Sequence, residues 1–362
     1  MLEFILPAGF GFLATVLAVY PTIKLAKKYG LVDNPKTRPH PAHIHKKIIP
    51  RAGGLALFFG IIVTTLIFIP IEKHILGILG GSLILLITGL LDDKSHNFSP
   101  YLRLLIQIIA ATLVVGSGVG IHFITNPLGG ILKFDDLIWQ FNLLGIHKVI
   151  ILADVLAILW IVWILNMLNW SKGVDGQLPG IVLIAVSILG LLSLKLYLAG
   201  EFNQINLAKL SFITAGVSLG FLVFNWHPAK IFPGFSGSNI LGLMIATIAI
   251  LSGAKLATAG LVLLVPATDF IYTFTRRVLS GKSPVWGDRG HLHHKLLDLG
   301  LSHQKITLFY MLGSAILGAV ALALDSRGKF FAASLVGISI LGGILWLNYF
   351  GVSSRKPDQN NG

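Results

Sequence analysis

Cysteine is absent from this chain, so neither disulfides nor thiolate chemistry is available to it, and the redox compartment stays open. Charge is scarce too. Only 12% of the residues are Asp, Glu, Lys or Arg, whereas soluble domains carry about a quarter. That shortage, beside a hydrophobic share of 54%, excludes an ordinary soluble domain and points to an all-α polytopic membrane protein. A basic n-region is also lacking: the N-terminal MLEFILPAGF has an acid instead, which argues against a cleaved signal peptide and for a first span entering the bilayer directly. Acids are the rarer charge, 15 against 28 Lys and Arg. Such an excess of base can mark nucleic-acid binding. In a membrane chain it is the signature of cytoplasmic loops, and no nucleic-acid partner is expected.

Apolar windows give about eleven transmembrane helices, at approximately 4–26, 52–70, 75–91, 103–122, 150–170, 177–198, 207–226, 238–253, 256–275, 305–324 and 330–350. Only the short LSGAKLATAG separates the eighth from the ninth. Lys27, Lys28, Lys36, Arg38, Lys46, Lys47 and Arg51 follow the first span, and Arg276, Arg277, Lys282, Arg289 and Lys295 follow the ninth. The odd connections are therefore expected in the cytoplasm, with the N-terminus outside and the C-terminus cytoplasmic. Residues 1–350 read as a single transmembrane helical domain with a cytoplasmic-face site, and 351–362 as a flexible cytoplasmic tail. The connection 123–149, punctuated by Gly and Pro, reads as a small extracytoplasmic hairpin or surface helix.

Five stretches are too polar for plain connectors: HIHKKIIPRAGG (43–54), GLLDDKSHNFSP (89–100), NMLNWSKGVDGQLPG (166–180), FNWHPAKIFPGFSGSN (224–239) and VWGDRGHLHHKLLDLG (285–300). All fall on odd connections, as expected of one site assembled from many loops. Asp92 and Asp93 close an apolar span, where carboxylates are costly unless solvated, paired or metal-bound. An acidic pair at a helix end can also be an interfacial stop. Two carboxylates so close repel unless a cation bridges them, and Mg²⁺ needs only one or two carboxylates when phosphates complete its shell. His291, His293 and His294 cluster beside Asp288 and Arg289. Without cysteine a zinc site is a poor fit, and His with Arg suits phosphate or sugar; a solvated basic loop is the plain alternative. Lys46, Lys47 and Arg51 suit an anionic headgroup or phosphate, a cytoplasmic charge run being equally compatible, and His40, His43 and His45 read as surface residues. Glycines 53 and 54 allow close backbone approach as the second span begins.

Taken in order, these stretches resemble the polyprenyl-phosphate N-acetylhexosamine-1-phosphate transferase superfamily, glycosyltransferase family 4. IHKKIIPRAGG resembles that family's IHKKPIPRLGG, LLDDKSHNFSP its Asp-Asp loop, and FNWHPAKIFPG its FNFHPAKIFMG. DRGHLHHKLLDLGLS is closer to the histidine loop of the undecaprenyl-phosphate GlcNAc-1-phosphate transferases than to that of the phospho-MurNAc-pentapeptide translocases. The resemblance implies transfer of a sugar 1-phosphate from a UDP-sugar to a polyprenyl phosphate at the cytoplasmic membrane, with release of UMP and with Mg²⁺ as cofactor, in cell-envelope glycan synthesis. It implies catalytic, metal-holding roles for Asp92, Asp93 and Asp175. It implies substrate-binding roles for Lys46, Lys47, Arg51, Asn166, Asn169, Lys172, Asn225, Lys230, Asp288, Arg289, His291, His293 and His294. A homodimer is left open.

Two positions depart from the pattern. Where the resembled NxxNxxDGxDG has its first aspartate this chain has Lys172, and where FMGDxGS carries the aspartate associated with Mg²⁺ it has Phe235. Three expectations follow: an enzyme in which Asp92, Asp93 and Asp175 still hold Mg²⁺; one in which Lys172 replaces part of the ion's charge; or a relative that only binds lipid phosphate or UDP-sugar. A transporter is the alternative outside the family, with Asp154 and Asp269 as its membrane carboxylates, although a Pro-marked kink could turn Asp269 toward the cytoplasmic site.

Overall fold

The computed structural model describes residues 1–35, 47–95, 98–127, 129–142, 146–253, 255–283 and 290–348. Its helices are α1 (Leu2–Lys28), α2 (Gly53–Phe68), α3 (Lys73–Lys94), α4 (Pro100–Gly116), α5 (Ile151–Trp170), α6 (Gln177–Leu198), α7 (Ile205–Asn225), α8 (Gly234–Leu251), α9 (Leu256–Val262), α10 (Leu264–Leu279), α11 (Leu292–Asp298), α12 (His303–Ala323) and α13 (Ser326–Trp346). Eight of these (α1, α3, α5, α6, α7, α8, α12 and α13) are long and apolar enough to cross a membrane; α9 and α10 make a ninth if counted as one bent span. The architecture is that of an all-α polytopic membrane protein. A count of eleven also requires α2 and α4, whose 16 and 17 residues span about 25 Å, short of a hydrocarbon core of about 30 Å.

Two boundaries differ instructively from the apolar windows. Helix α8 begins at Gly234, so GFSGS is its first turn rather than loop; small and polar residues there hide the helix from a hydropathy reading. Between α9 and α10 the axis bends by 81°. Pro266 has no N–H for the carbonyl of Val262 and its ring crowds that carbonyl, which sets the break one turn ahead of the proline.

Strands are few and short. β1 (Val32–Asp33) pairs antiparallel with β2 (Ile49–Pro50) and ties the two ends of the first connection together. The connection before α5 holds two hairpins, β3 (Phe123–Thr125) with β4 (Ile131–Lys133) and β5 (Ile138–Asn142) with β6 (Ile146–Ile150), in keeping with the expected hairpin.

Helix α8 is the core of the bundle: residues 234–250 are all buried, against α2, α3, α5 and α6, whereas α13 lies at the periphery with Ile344 as its fully buried residue. In a bilayer lipid tails compete with side chains for apolar contact, so close backbone approach through small residues drives helix pairing. The pair α1–α7 shows this: a Cβ on Gly216 would lie 1.9 Å from the Ala8 carbonyl oxygen, and one on Gly220 2.7 Å from that of Phe12. Gly216→Ala should therefore cost about 1–3 kcal/mol by overpacking. Gly9→Ala, with nothing within 4 Å of the added methyl, should leave the thermal midpoint in detergent unchanged or slightly raised.

Candidate active site

The ends of α3, α5 and α7 meet the starts of α2, α4, α6, α8 and α12 at one end of the bundle, and the described parts of the polar stretches gather there. Adjacent helical residues point about 100° apart, so Asp92 and Asp93 at the end of α3 reach different partners. Asp92 pairs with Arg103 from the first turn of α4, Nε to Oδ1 2.5 Å. Asp93 is fully enclosed. Its Oδ1 accepts from the Phe235 N–H at 2.9 Å, its Oδ2 from Ser236 Oγ at 3.1 Å, and Arg51 Nη2 lies 3.5 Å from Oδ1. Helix α8 has no side-chain cap of its own, because Pro233 occupies that place. Asp93 supplies the cap from another helix, satisfying an orphan N–H and facing the positive end of the helix dipole. Gly234 makes the approach feasible: its φ is +69°, and a Cβ would sit 2.1 Å from the Arg51 carbonyl oxygen and 2.3 Å from Asp93 Oδ2.

Lys172 leaves the end of α5 and donates from Nζ to the Gly234 carbonyl at 3.0 Å and towards Ser238 Oγ at 3.4 Å. Its ammonium lies 5.7 Å from the Phe235 ring centroid, and the Arg103 guanidinium 5.3 Å from the same ring, both within cation–π reach. Burial pushes the Lys172 pKa down to about 7; the Arg51 guanidinium adds to the shift while Asp93 and Asp92 oppose it.

Below this cluster a chain of amides is satisfied from end to end. Asn166 Nδ2 donates to Gln107 Oε1 at 2.9 Å, Gln107 Nε2 to Asn239 Oδ1 at 2.7 Å, and Asn239 Nδ2 to the Phe235 carbonyl at 2.7 Å. Asn169 Oδ1 accepts from Ser238 Oγ at 3.0 Å. Both asparagines of the motif thus hold the first turn of α8 in place.

Asp175 lies in a second cluster. Its Oδ2 accepts from the Ala229 N–H at 3.1 Å, lies 2.7 Å from His227 Nδ1 and 3.8 Å from His303 Nδ1, and the two imidazoles stack at 4.4 Å. Thr307 Oγ1 donates to the Asp175 carbonyl at 2.6 Å. Asn225 uses both ends on backbone, accepting from the Gly176 N–H at 3.0 Å and donating to the Ile231 carbonyl at 2.8 Å, which makes it a positioning residue. Lys47 and Lys230 are exposed, Lys230 beside the Phe224 ring.

The histidine loop is held by Asp269. Its Oδ2 lies 2.9 Å from His291 Nδ1, and its Oδ1 accepts from the Leu292 N–H at 2.7 Å, capping the first turn of α11. His291 stands edge-on to Trp170 at 5.5 Å. His293 stacks on His291 and packs against Gly173, where a Cβ would meet its Nε2 at 2.0 Å, so this loop abuts the Lys172 turn. Burial, then the neighbouring His294 and His291, hold the His293 imidazole well below its usual range and neutral at pH 7. Lys46, Asp288 and Arg289, with His40, His43 and His45, lie outside the described residues.

A family model for glycosyl transferase family 4 matches residues 75–253. The chain is 32% identical, over 338 residues, to a probable undecaprenyl-phosphate N-acetylglucosaminyl 1-phosphate transferase of Bacillus subtilis (strain 168), covering 91% of this chain and 87% of that one. The chain belongs to glycosyl transferase family 4. It is also 30% identical to a decaprenyl-phosphate N-acetylglucosaminephosphotransferase of Mycolicibacterium smegmatis over 92% of its own length and 85% of the relative's. An undecaprenyl-phosphate alpha-N-acetylglucosaminyl 1-phosphate transferase of Yersinia pestis is 26% identical, over 85% and 81%. Within family 4 the chain is a phosphoglycosyl transferase, and the transporter alternative falls away. Its two carboxylates have local work: Asp269 holds the histidine loop, and Asp154 Oδ2 accepts from the Ile150 N–H at 3.0 Å as α5 begins.

The donor set at the acidic pair does not fit the Mg²⁺ implied by resemblance to the family. Asp92 is committed to Arg103 and Asp93 to Arg51 and the start of α8, while Lys172 and the Phe235 ring stand where the motifs have carboxylates. Asp175 does not join them: among the described residues, the His/Asp group whose ligand atoms lie within 4.8 Å of one another is Asp175, His227 and His303. Imidazoles are poor ligands for Mg²⁺, which prefers oxygen.

Sequence reading missed Arg103, Gln107, His227, Asn239, Asp269's anchoring role and His303. Arg103 and Gln107 had a signal, two polar residues four apart on an otherwise apolar helix. Asp269→Ala should release the histidine loop. Amide exchange in residues 290–298 should rise about tenfold or more, since two charge-assisted hydrogen bonds are lost, with Asp269→Asn intermediate.

Proposed function

We propose that this chain transfers a sugar 1-phosphate, an N-acetylhexosamine, from a UDP-sugar to polyprenyl phosphate at the cytoplasmic face of the cell membrane, with the N-terminus outside. The observation that carries this reading is the convergence of Arg51, Arg103 and Lys172 on the acidic pair at the bundle end where the histidine loop is also anchored. An oxygen of the lipid phosphate attacks the phosphorus attached to the sugar; a new P–O bond forms, and the bond to the bridging oxygen breaks as UMP leaves with the electron pair. Positioning and charge neutralisation supply most of the rate enhancement in such displacements.

In this reading Arg51, Arg103 and Lys172 orient the two phosphates. Neutral His293 offers hydrogen bonds to the sugar nucleotide without adding charge, and His291 and His294 stand beside it. A groove of about 630 Å³ between α10 and α13, lined by Leu264, Ile271, Ala333, Ile338 and Leu341 with Tyr272 and Arg276 also on its wall, has the apolar character an isoprenoid tail requires. Phe235 in the place of a family carboxylate favours a second reading, in which the ligands bind and turnover is lost.

Purified protein given undecaprenyl phosphate and radiolabelled UDP-N-acetylhexosamines should label the lipid, and Arg103→Ala should cut the rate by about 100-fold or more. Binding of the donor without labelling would select the second reading. The Lys172 pKa gives a further test. With a pKa of about 7, unliganded Lys172 loses its proton as pH rises through that value, and a phosphate against it favours the protonated form. Binding of farnesyl phosphate at pH 8 should therefore take up a proton and weaken as pH rises, seen by calorimetry in buffers of different ionisation enthalpy. Lys172→Arg should abolish that uptake.

A further inference from the structure

We propose that the phosphate site beside Asp92 and Asp93 is a metal-free one, in which Arg51, Arg103 and Lys172 supply the charge a divalent ion would bring. The inference rests on the lipid-phosphate reading above and deepens it.

Charge is the first argument. Three cations and two carboxylates are packed together, for a formal net charge of one positive with all groups ionised. A site built to hold a divalent cation is acidic before the ion arrives; this one is not. Relative to two aspartates, a lysine at 172 and a phenylalanine at 235 raise the local charge by three, more than the two an Mg²⁺ ion carries. With Lys172 protonated, an ion entering here would meet three positive groups at close range.

Ligand supply is the second. Mg²⁺ requires oxygens in near-octahedral array at about 2.0–2.1 Å. The Phe235 ring offers no ligand atom, and its neighbours are the Lys172 ammonium and the Arg103 guanidinium at 5.7 and 5.3 Å. Freeing Asp92 means breaking its pair with Arg103. Freeing Asp93 means uncapping α8, the most buried helix of the bundle.

The same features suit a phosphate. Guanidinium groups present paired donors matched to phosphate oxygens, an ammonium adds a point charge, and none needs oxygen ligands from the protein. The carboxylates hold the two arginines in orientation, and the Phe235 ring lies within cation–π reach of both Lys172 and Arg103.

The test uses the full chain in detergent with farnesyl phosphate as probe, measuring affinity by calorimetry with EDTA and with Mg²⁺, and Mn²⁺ binding by electron paramagnetic resonance. Affinities equal within about twofold in the two buffers, with no Mn²⁺ bound at the acidic pair, are expected. Lys172→Ala should weaken binding about tenfold in both, or about 1.4 kcal/mol. Lys172→Asp combined with Phe235→Asp should acquire Mn²⁺ binding that Asp93→Asn in that background removes. Binding of farnesyl phosphate that needs Mg²⁺, or a Mn²⁺ signal in the wild-type protein lost on Asp93→Asn, would overturn this proposal while leaving the lipid-phosphate reading standing. Absence of binding in both buffers would remove that reading and this proposal with it.

Discussion

The buried carboxylate of Asp93 is the constraint from which the site is built. It closes α3, caps α8 across the bundle and faces Arg51 from the strand-tied first connection, so three segments far apart in the chain are held by one side chain. A carboxyl group so deep is tolerable only because its oxygens are filled: by an N–H at a helix start, by a hydroxyl and by a guanidinium. Those partners in turn fix the direction of the first turn of α8. Phe235, Ser236 and Ser238 take their places from it, and Lys172 and Asn169 take theirs from Ser238 and the Gly234 carbonyl.

Around that anchor, polar groups in apolar surroundings are satisfied in series. The chain Asn166–Gln107–Asn239 links α5, α4 and α8 and ends on the Phe235 carbonyl. Hydrogen bonds between helices are modest individually, and their value here lies in geometry: each amide has one orientation that satisfies its neighbours. The histidine loop is attached to this rigid frame through Asp269 on the bent helix pair, whose break follows from Pro266. Binding groups on loops are positioned by helices whose packing leaves little room for movement.

Much of this was legible in the sequence because the bilayer imposes simple rules. Every expected apolar window overlaps a helix, and the described parts of the polar stretches that interrupt them meet at one end. The reading fell short where a functional residue looked like its surroundings. The first turn of α8 passed for loop because glycine and serine carry no apolar signal. Asp175 was grouped with the acidic pair by motif alone, and only the folded chain sets it against His227 and His303.

By itself the sequence determined the membrane class, the approximate position of most helices, the clustering of charge on odd connections and the two unusual residues, Lys172 and Phe235. These are properties of composition and spacing, which hydropathy and side-chain chemistry read directly. Where those two side chains stand, and beside which charges, was decided by tertiary structure alone. Arg51, Arg103 and Lys172 come from three segments far apart in the chain, two connections and the first turn of α4, and no local pattern announces that they converge on Asp92, Asp93 and one aromatic ring. Electrostatics depends on distance through space and on burial, and only the packed bundle sets both.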